Sequence, residues 1–89
     1  MSIQEFLEIV VKKEASDLHL VVGMPAMVRI DGQLMPVSAA PLTPEETESL
    51  VFELLSPEQR EMLLVNKEID FSFALGEVAR FRVNAYYQK

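Results

Sequence analysis

Apolar residues near the start of the chain recur with the spacing of an α-helix. They fall at i, i+3, i+4 and i+7, as Ile3, Phe6, Leu7 and Val10. Ser2 is followed three residues later by Glu5, which is the pattern of a capping box, and Met1 stands at the position of a hydrophobic staple. The pattern therefore predicts an amphipathic helix over residues 2 to 13.

From Ser16 the hydrophobic period changes to two, which is typical of a half-buried strand. In this strand Leu18, Leu20 and Val22 are expected to face one way and Asp17, His19 and Val21 the other. Two further strand-like segments, Met27–Ile30 and Gln33–Val37, flank Asp31-Gly32, a pair that favours a type I′ hairpin. Pro36 cannot donate a ladder hydrogen bond, so the second arm should be a sheet edge or end there.

A short linker, residues 38 to 42, precedes two helices that share one starting pattern. Thr43-Pro44-Glu45-Glu46 and Ser56-Pro57-Glu58-Gln59 each place a hydroxyl at the N-cap, proline at N1 and Glu or Gln at N3. The first helix is expected to bury Leu50, Val51, Leu54 and Leu55, and the second Met62, Leu63 and Val65. The second should end near Asn66, a residue tolerated at C′.

The last third of the chain predicts a strand pair. Ile69, Phe71, Phe73 and Leu75 alternate with polar or small residues; after a turn at residues 76 to 78, Phe81, Val83, Ala85 and Tyr87 do the same in a strand running from Ala79 to Gln88. The predicted order is helix, three strands, two helices and two strands. This order indicates an α+β domain with an antiparallel or mixed sheet of about five strands and helices on one face.

Composition restricts the class of protein. The 89 residues suit one domain, and 49% hydrophobic with 25% charged residues is an ordinary globular balance. The absence of cysteine excludes disulfides and thiol catalysis and fits a reducing compartment such as the cytoplasm. A formal charge of −6 argues against a non-specific nucleic-acid binder.

Charge is distributed unevenly along the sequence. Acidic residues crowd into Glu45–Glu48 and Glu58–Glu61, where helices are predicted, whereas Arg29, Arg80 and Arg82 fall in strand-like segments. We therefore expect an acidic helical side and a locally basic sheet side.

The sequence contains none of the common catalytic or metal-binding motifs. It has no phosphate loop, no G-x-G-x-x-G, no H-E-x-x-H and one histidine, so neither a catalytic residue nor a metal ligand is assigned. Asp17 and His19 share one strand face and could in principle orient a proton, although such a histidine more often bonds a neighbouring loop. Glu45 and Glu46 are better explained by the helix dipole than by acid/base work.

Arg80 and Arg82 are the main candidate site. Two residues apart in a strand, their side chains project about 6.5 to 7 Å apart from one face, together with Asn84 and Tyr86. This geometry can clamp a polyphosphate or an acidic partner. The alternative is a solvated outer face with cross-strand ion pairs from Asp70 and Glu68, and both interpretations stay open. Arg29 would join that face if the hairpin lies alongside.

Five segments, in this order and at this spacing, resemble the N-terminal domain of the PilT family, the type IV pilus retraction (twitching motility) ATPases of the hexameric secretion-motor superfamily. The segments are Ala15–Leu20, Gly23-x-Pro25, Val28–Gly32, Ile69–Phe73 and Arg80–Tyr86. The resemblance covers essentially the whole chain.

The resemblance implies a PAS-like N-terminal domain, residues 1–89, excised from a longer chain. The family's RecA-like core, which carries the Walker motifs and uses ATP and Mg²⁺, has no counterpart here. The fragment itself would therefore be no enzyme, whereas its parent would be an ATPase. Implied partners are the cores of the same and the neighbouring subunit in a homohexamer and the pilus inner-membrane platform protein, at the cytoplasmic face of the bacterial inner membrane.

The resemblance also implies that arginines of this domain approach the nucleotide of a neighbouring core. That role falls on Arg80 and Arg82, with Arg29 a weaker third, and Asn84 and Tyr86 become interface candidates. Two alternatives remain: a free-standing PAS-like sensor or interaction module, and the equivalent domain of a pilus extension or type II secretion ATPase.

Overall fold

A computed structural model describes residues 2–87 of the protein. It contains three helices, each begun by a capping box with Ser2, Thr43 or Ser56 at the N-cap, as the sequence predicts. The helices are α1 (Ile3–Lys12), α2 (Pro44–Phe52) and α3 (Pro57–Asn66). The staple residue Met1 lies outside the described residues.

Five strands form one mixed sheet in the order β3-β2-β1-β5-β4. The strands are β1 (Asp17–Val21), β2 (Met27–Ile30), β3 (Gln33–Pro36), β4 (Glu68–Leu75) and β5 (Ala79–Tyr86). β1 and β5 run parallel, and the other three neighbouring pairs are antiparallel. The α+β class, the element order and the mixed five-stranded sheet are as predicted.

The turn of the β2–β3 hairpin is of the type that the sequence predicts. Asp31 and Gly32 both have positive φ, 51° and 82°, which a type I′ turn requires. The second arm ends at Pro36 and forms one edge of the sheet, as expected for a residue that cannot donate to a ladder.

The core lies between the helices and one face of the sheet. It combines α1 residues such as Phe6 and Val10 with Leu18 and Leu20 of β1 and with Phe81 and Val83 of β5. The alternation in β4 and β5 therefore points the predicted apolar residues inward and leaves the arginines on the opposite, helix-free face.

Helices α2 and α3 bury less than the sequence predicts. Leu50, Val51 and Leu55 are buried, but α2 ends at Phe52 and Leu54 is half-buried. In α3 the expectation for Met62 and Val65 is wrong: they are 52% and 72% exposed, and Leu63 is the buried residue. Along its ten residues α3 therefore contacts the core through a single buried side chain.

One strand boundary also differs from the prediction. β1 ends at Val21, which is buried, whereas Val22 is half-buried and forms an isolated parallel bridge with Leu42. Helix α3 ends at Asn66, as predicted, but the residue in the left-handed conformation is Lys67, with φ of 63°. The predicted end of the last strand, Gln88, lies outside the described residues.

None of the helices within residues 2–87 is long and apolar enough to cross a membrane. Over the same span, no group of three or more His, Asp or Glu side chains is arranged to hold a metal ion.

Candidate functional site

The helix-free face of the sheet, called the outer face here, brings the candidate residues together. Strand pairing aligns them in two adjacent rows across the sheet. The first row is Leu34, Arg29, Asp17, Arg82 and Ser72, and the second is Pro36, Met27, His19, Asn84 and Asp70. Arg29 therefore lies on the same face as Arg82, with Asp17 between them.

Arg82 is held by Asp70 of the neighbouring strand β4. Its Nε donates to Oδ1 at 2.7 Å and its Nη2 to Oδ2 at 2.5 Å, a bidentate pair between two exposed side chains. The hydrogen bonds from Arg82 hold the pKa of the Asp70 carboxyl below its ordinary value. Arg82 is thus held within the domain by a cross-strand ion pair. This was one of the two interpretations that the sequence left open.

Arg29 is engaged in a similar way. Its Nε donates to Oδ2 of Asp17 at 2.9 Å, and its Nη1 donates to the carbonyl oxygen of Gly32 at 3.0 Å. Register explains the pair, because Asp17 and Arg29 are direct cross-strand neighbours in β1 and β2. The side chain is therefore clamped onto its own hairpin.

Arg80 is different. It lies on the outer face opposite Ala74, is exposed, and makes no ion pair or side-chain hydrogen bond with any residue from 2 to 87. Its guanidinium is the least committed of the three predicted candidates.

The two interface candidates lie beside Arg82 on the same strand. Asn84 is half-buried between His19 and Asp70, and Tyr86 is exposed between Val21 and Glu68. They therefore share the outer face with the arginines.

His19 occupies the middle of the second row, between Met27 and Asn84. Its Nε2 atom is buried and has no hydrogen-bond partner within residues 2–87. Asp17, on the same strand face, bonds Arg29 instead, so the two side chains do not form the proton-orienting pair considered from the sequence.

The expectation of a basic sheet side is wrong. Arg29 and Arg82 are each matched by an aspartate on the next strand, and Glu68 adds a further acid to the outer face. The sequence signal was present, because Asp17 and Asp70 alternate with apolar residues in phase with the outer face. The sequence named Asp70 as one possible cross-strand partner, whereas the pairing of Asp17 with Arg29 was not predicted.

One contact that sequence reasoning missed joins the residue after β5 to helix α2. The phenol of Tyr87, just beyond β5, donates a hydrogen bond to Glu48 Oε1 of α2. The Lys67 ammonium lies 5.4 Å from the centre of the same ring. Thirty-nine positions separate Tyr87 and Glu48, and nothing in a sequence pattern connects them.

Two known proteins with a similar sequence are type IV pilus ATPases. No protein-family model matches the chain. It is 41% identical over 88 residues to the type IV pilus retraction ATPase PilT of Pseudomonas aeruginosa, covering 99% of this chain and 26% of that protein. It is 35% identical over 89 residues to the type IV pilus ATPase PilU of the same organism, covering 100% of this chain and 23% of PilU.

Solved structures give the same result. The fold matches a crystal structure of the pilus retraction motor PilT with bound ADP, with a TM-score of 0.74 and 40% identity over 100% of this chain and 26% of that one. The Legionella pneumophila ATPase DotB matches with a TM-score of 0.69 and 25% identity, over 94% of this chain and 24% of DotB. The chain thus spans about a quarter of the length of the proteins that it matches.

Whole-chain identity of 35 to 41% and a shared fold lead to one conclusion. Over its whole length the chain is similar to a domain-sized part, about a quarter, of the type IV pilus ATPases PilT and PilU.

Proposed function

We propose that this chain is the N-terminal, PAS-like domain of a hexameric type IV pilus retraction motor. In that role it packs on the ATPase core of a neighbouring subunit and presents arginines near the nucleotide there. The parent chain uses ATP and Mg²⁺, works at the cytoplasmic face of the inner membrane and engages the pilus platform protein. The observation that carries the proposal is the whole-chain match to PilT at 41% identity within a quarter of PilT's length.

The outer face supports a docking role more than a catalytic one. It is free of helices and carries charged side chains of both signs held in fixed positions by ion pairs. Fixed charges of this kind set the register of a protein interface. Residues 2–87 contain no phosphate loop, and in this proposal the neighbouring core carries the chemistry.

The geometry favours Arg80 as the arginine that approaches the nucleotide. Its side chain is exposed and unpaired within residues 2–87, so it can reach outward without breaking a contact. Arg82 would first have to leave Asp70, and Arg29 would have to leave Asp17. A positioned guanidinium stabilises the charge that develops on a transferred phosphoryl group.

Two steps test the proposal. The gene should continue beyond Lys89 and encode a G-x-x-x-x-G-K-[S/T] phosphate loop roughly 40 to 50 residues later. In that parent, Arg80→Ala should lower ATP turnover about tenfold or more, and pilus retraction with it. Arg82→Ala should also impair turnover.

Arg60→Ala is the matched control, because Arg60 lies on α3 away from the sheet and donates to the Phe52 carbonyl oxygen. It should leave turnover unchanged. Wild-type turnover in both Arg80→Ala and Arg82→Ala would refute the role of the arginines, and a gene that ends at Lys89 would refute the motor.

A second candidate is the equivalent domain of a secretion ATPase, favoured by the likeness to DotB. It keeps the domain's docking role and changes the machine that the parent drives. Complementation distinguishes the two: the parent gene should restore twitching to a strain without a retraction ATPase if the first proposal is right.

A further inference from the structure

The two edges of the sheet are protected to different extents. β3 is four residues long and ends in Pro36, which are two of the devices that natural proteins use to block an edge. β4 is eight residues long, contains no proline, and pairs with β5 without a bulge from Glu68 opposite Tyr86 to Leu75 opposite Ala79. The β4 edge is therefore the more open of the two.

Hydrogen bonds of β5 show which backbone groups of β4 point to this edge. The Arg82 N–H donates to the Ser16 carbonyl oxygen at 3.0 Å, so even-numbered residues of β5 face β1, whereas the Tyr87 N–H donates to the Lys67 carbonyl oxygen at 2.9 Å. Odd-numbered residues of β5 therefore face β4, and the residues opposite them use their N–H and C=O groups within the sheet. The backbone groups of Asp70, Ser72 and Ala74 are left pointing outward.

The side chains at this edge do not block it either. Of the two acidic residues whose backbone points outward, Glu68 is the first residue of the strand, and Asp70 is drawn onto Arg82 of β5 and neutralised there. Ser72 and Ala74 are small and uncharged. On the inner face Phe71 and Phe73 remain half-buried, and no strand within residues 2–87 covers them. An added strand would bury these rings and satisfy the free backbone groups.

We propose that the β4 edge is a homodimer interface, in which a second copy of this chain adds its own β4 antiparallel across a twofold axis. Two registers suit this pairing. When it is centred on Phe71, Asp70 faces Ser72 and Phe71 faces its own copy; when it is centred on Ser72, Asp70 faces Ala74 and Phe71 faces Phe73. Both registers avoid opposing like charges and bring aromatic rings together, which stabilises cross-strand pairs.

This self-complementarity is the reason to assign the edge to a second copy rather than to an unrelated strand. Under one twofold rotation, Asp70 of each copy faces a small neutral residue of the other copy, and Phe71 of each copy faces a phenylalanine of the other. A register centred on Asp70 would oppose two carboxylates and is disfavoured. The proposal is independent of the motor assignment, because it rests on β4 alone.

Sedimentation velocity of the 89-residue protein at concentrations of about 5 to 500 µM tests the proposal. This range suits the modest affinity expected of an interface with a small buried area. The wild type should change from monomer to dimer within it. Ser72→Pro removes one outward N–H and keeps the bonds to β5, so it should weaken association about tenfold or more.

Leu34→Pro is the matched control at the other edge. The Val37 N–H donates to the Ala26 carbonyl oxygen, so odd-numbered residues of β3 face β2 and the Leu34 N–H points outward. Leu34→Pro should therefore dimerise like the wild type.

A further variant leaves the backbone intact should Ser72→Pro fail to fold. Ser72→Asp places a carboxylate opposite Asp70 in the first register and opposite its own copy in the second. It should abolish dimerisation at low salt and recover part of it at high salt. A wild type that stays monomeric, or dimers that survive Ser72→Asp at low salt, would overturn the proposal.

Discussion

Asp70 controls how much of the arginine pair is available to a partner. It lies two residues from Ser72, the residue directly opposite Arg82, and its two oxygens accept both bonds from that guanidinium. Of the two arginines that the sequence singled out in β5, Arg82 is therefore engaged and Arg80 is not. This pairing depends on the register of β4 and β5, which the alternation of apolar residues already indicated.

The Asp70 pKa should rise when its partner is removed. In the wild type, hydrogen bonds from Arg82 lower the pKa of Asp70, so Arg82→Gln should return it toward its ordinary value. Carboxyl ¹³C shifts followed through an acid titration report this pKa directly. Arg60→Gln should leave the Asp70 titration unchanged, and an Asp70 pKa that is equal in wild type and Arg82→Gln would show that the pair is absent in solution.

The same pair makes stability depend on pH with a definite sign. Because the folded pKa of Asp70 is lowered, the contribution is present above the unfolded value and is lost as pH falls through the folded one. Wild type and Arg82→Gln should therefore differ less in urea midpoint at about pH 3 than at about pH 7. The difference is small at any pH, because both side chains are exposed.

At the scale of elements, α3 shows how weakly a predicted helix can be anchored. Its capping box and proline are as the sequence indicates, yet Leu63 is the residue that it buries, and Met62 and Val65 point to solvent. Capping depends on residues within four positions of each other and is readable locally. Which face is covered depends on where the rest of the chain passes, and a pattern of adjacent apolar residues does not contain that information.

Two truncations in this one helix should have very different costs. Leu63→Ala removes a fully buried side chain and should lower the free energy of unfolding by about 2 to 4 kcal/mol. Val65→Ala, at a residue 72% exposed, should change it by less than about 0.5 kcal/mol. Urea denaturation followed by circular dichroism measures both, and comparable losses would mean that α3 packs differently in solution.

At the scale of the whole molecule, one side-chain hydrogen bond joins parts of the fold that are distant in the sequence. Tyr87 follows β5 and bonds Glu48 in α2, which ties the end of the central sheet to the helical layer. Burial, and then the hydrogen bond and charge of Glu48, raise the pKa of the Tyr87 phenol.

Stability should consequently fall in alkali. Since the folded pKa of Tyr87 is raised, its contribution is complete below the unfolded value and is lost as pH rises above about 10. Tyr87→Phe should remove this alkaline loss, measured as the change in urea midpoint between about pH 9 and pH 11. Tyr86→Phe, at the exposed neighbour, should leave it in place; equal behaviour of the two variants would contradict the assignment.

The sequence by itself determined the element order, the three capped helices, the type I′ hairpin and the inward alternation of β4 and β5. Each depends on interactions between residues close in the chain, or on a period that a core must respect. Its five-segment resemblance also identified the pilus-motor relationship that whole-chain identity confirms.

Tertiary structure alone decided that β1 lies beside β5. Their parallel pairing puts Asp17 between Arg29 and Arg82 on the outer face. The ion pair between Asp70 and Arg82 was one of two interpretations that the sequence left open, and the structure decides in its favour. Strand order is set by the packing of residues that are more than fifty positions apart, as β1 and β5 are, and local propensity does not encode it. Arg80 lies opposite Ala74, which has no group to pair with it, and forms no ion pair with any residue from 2 to 87.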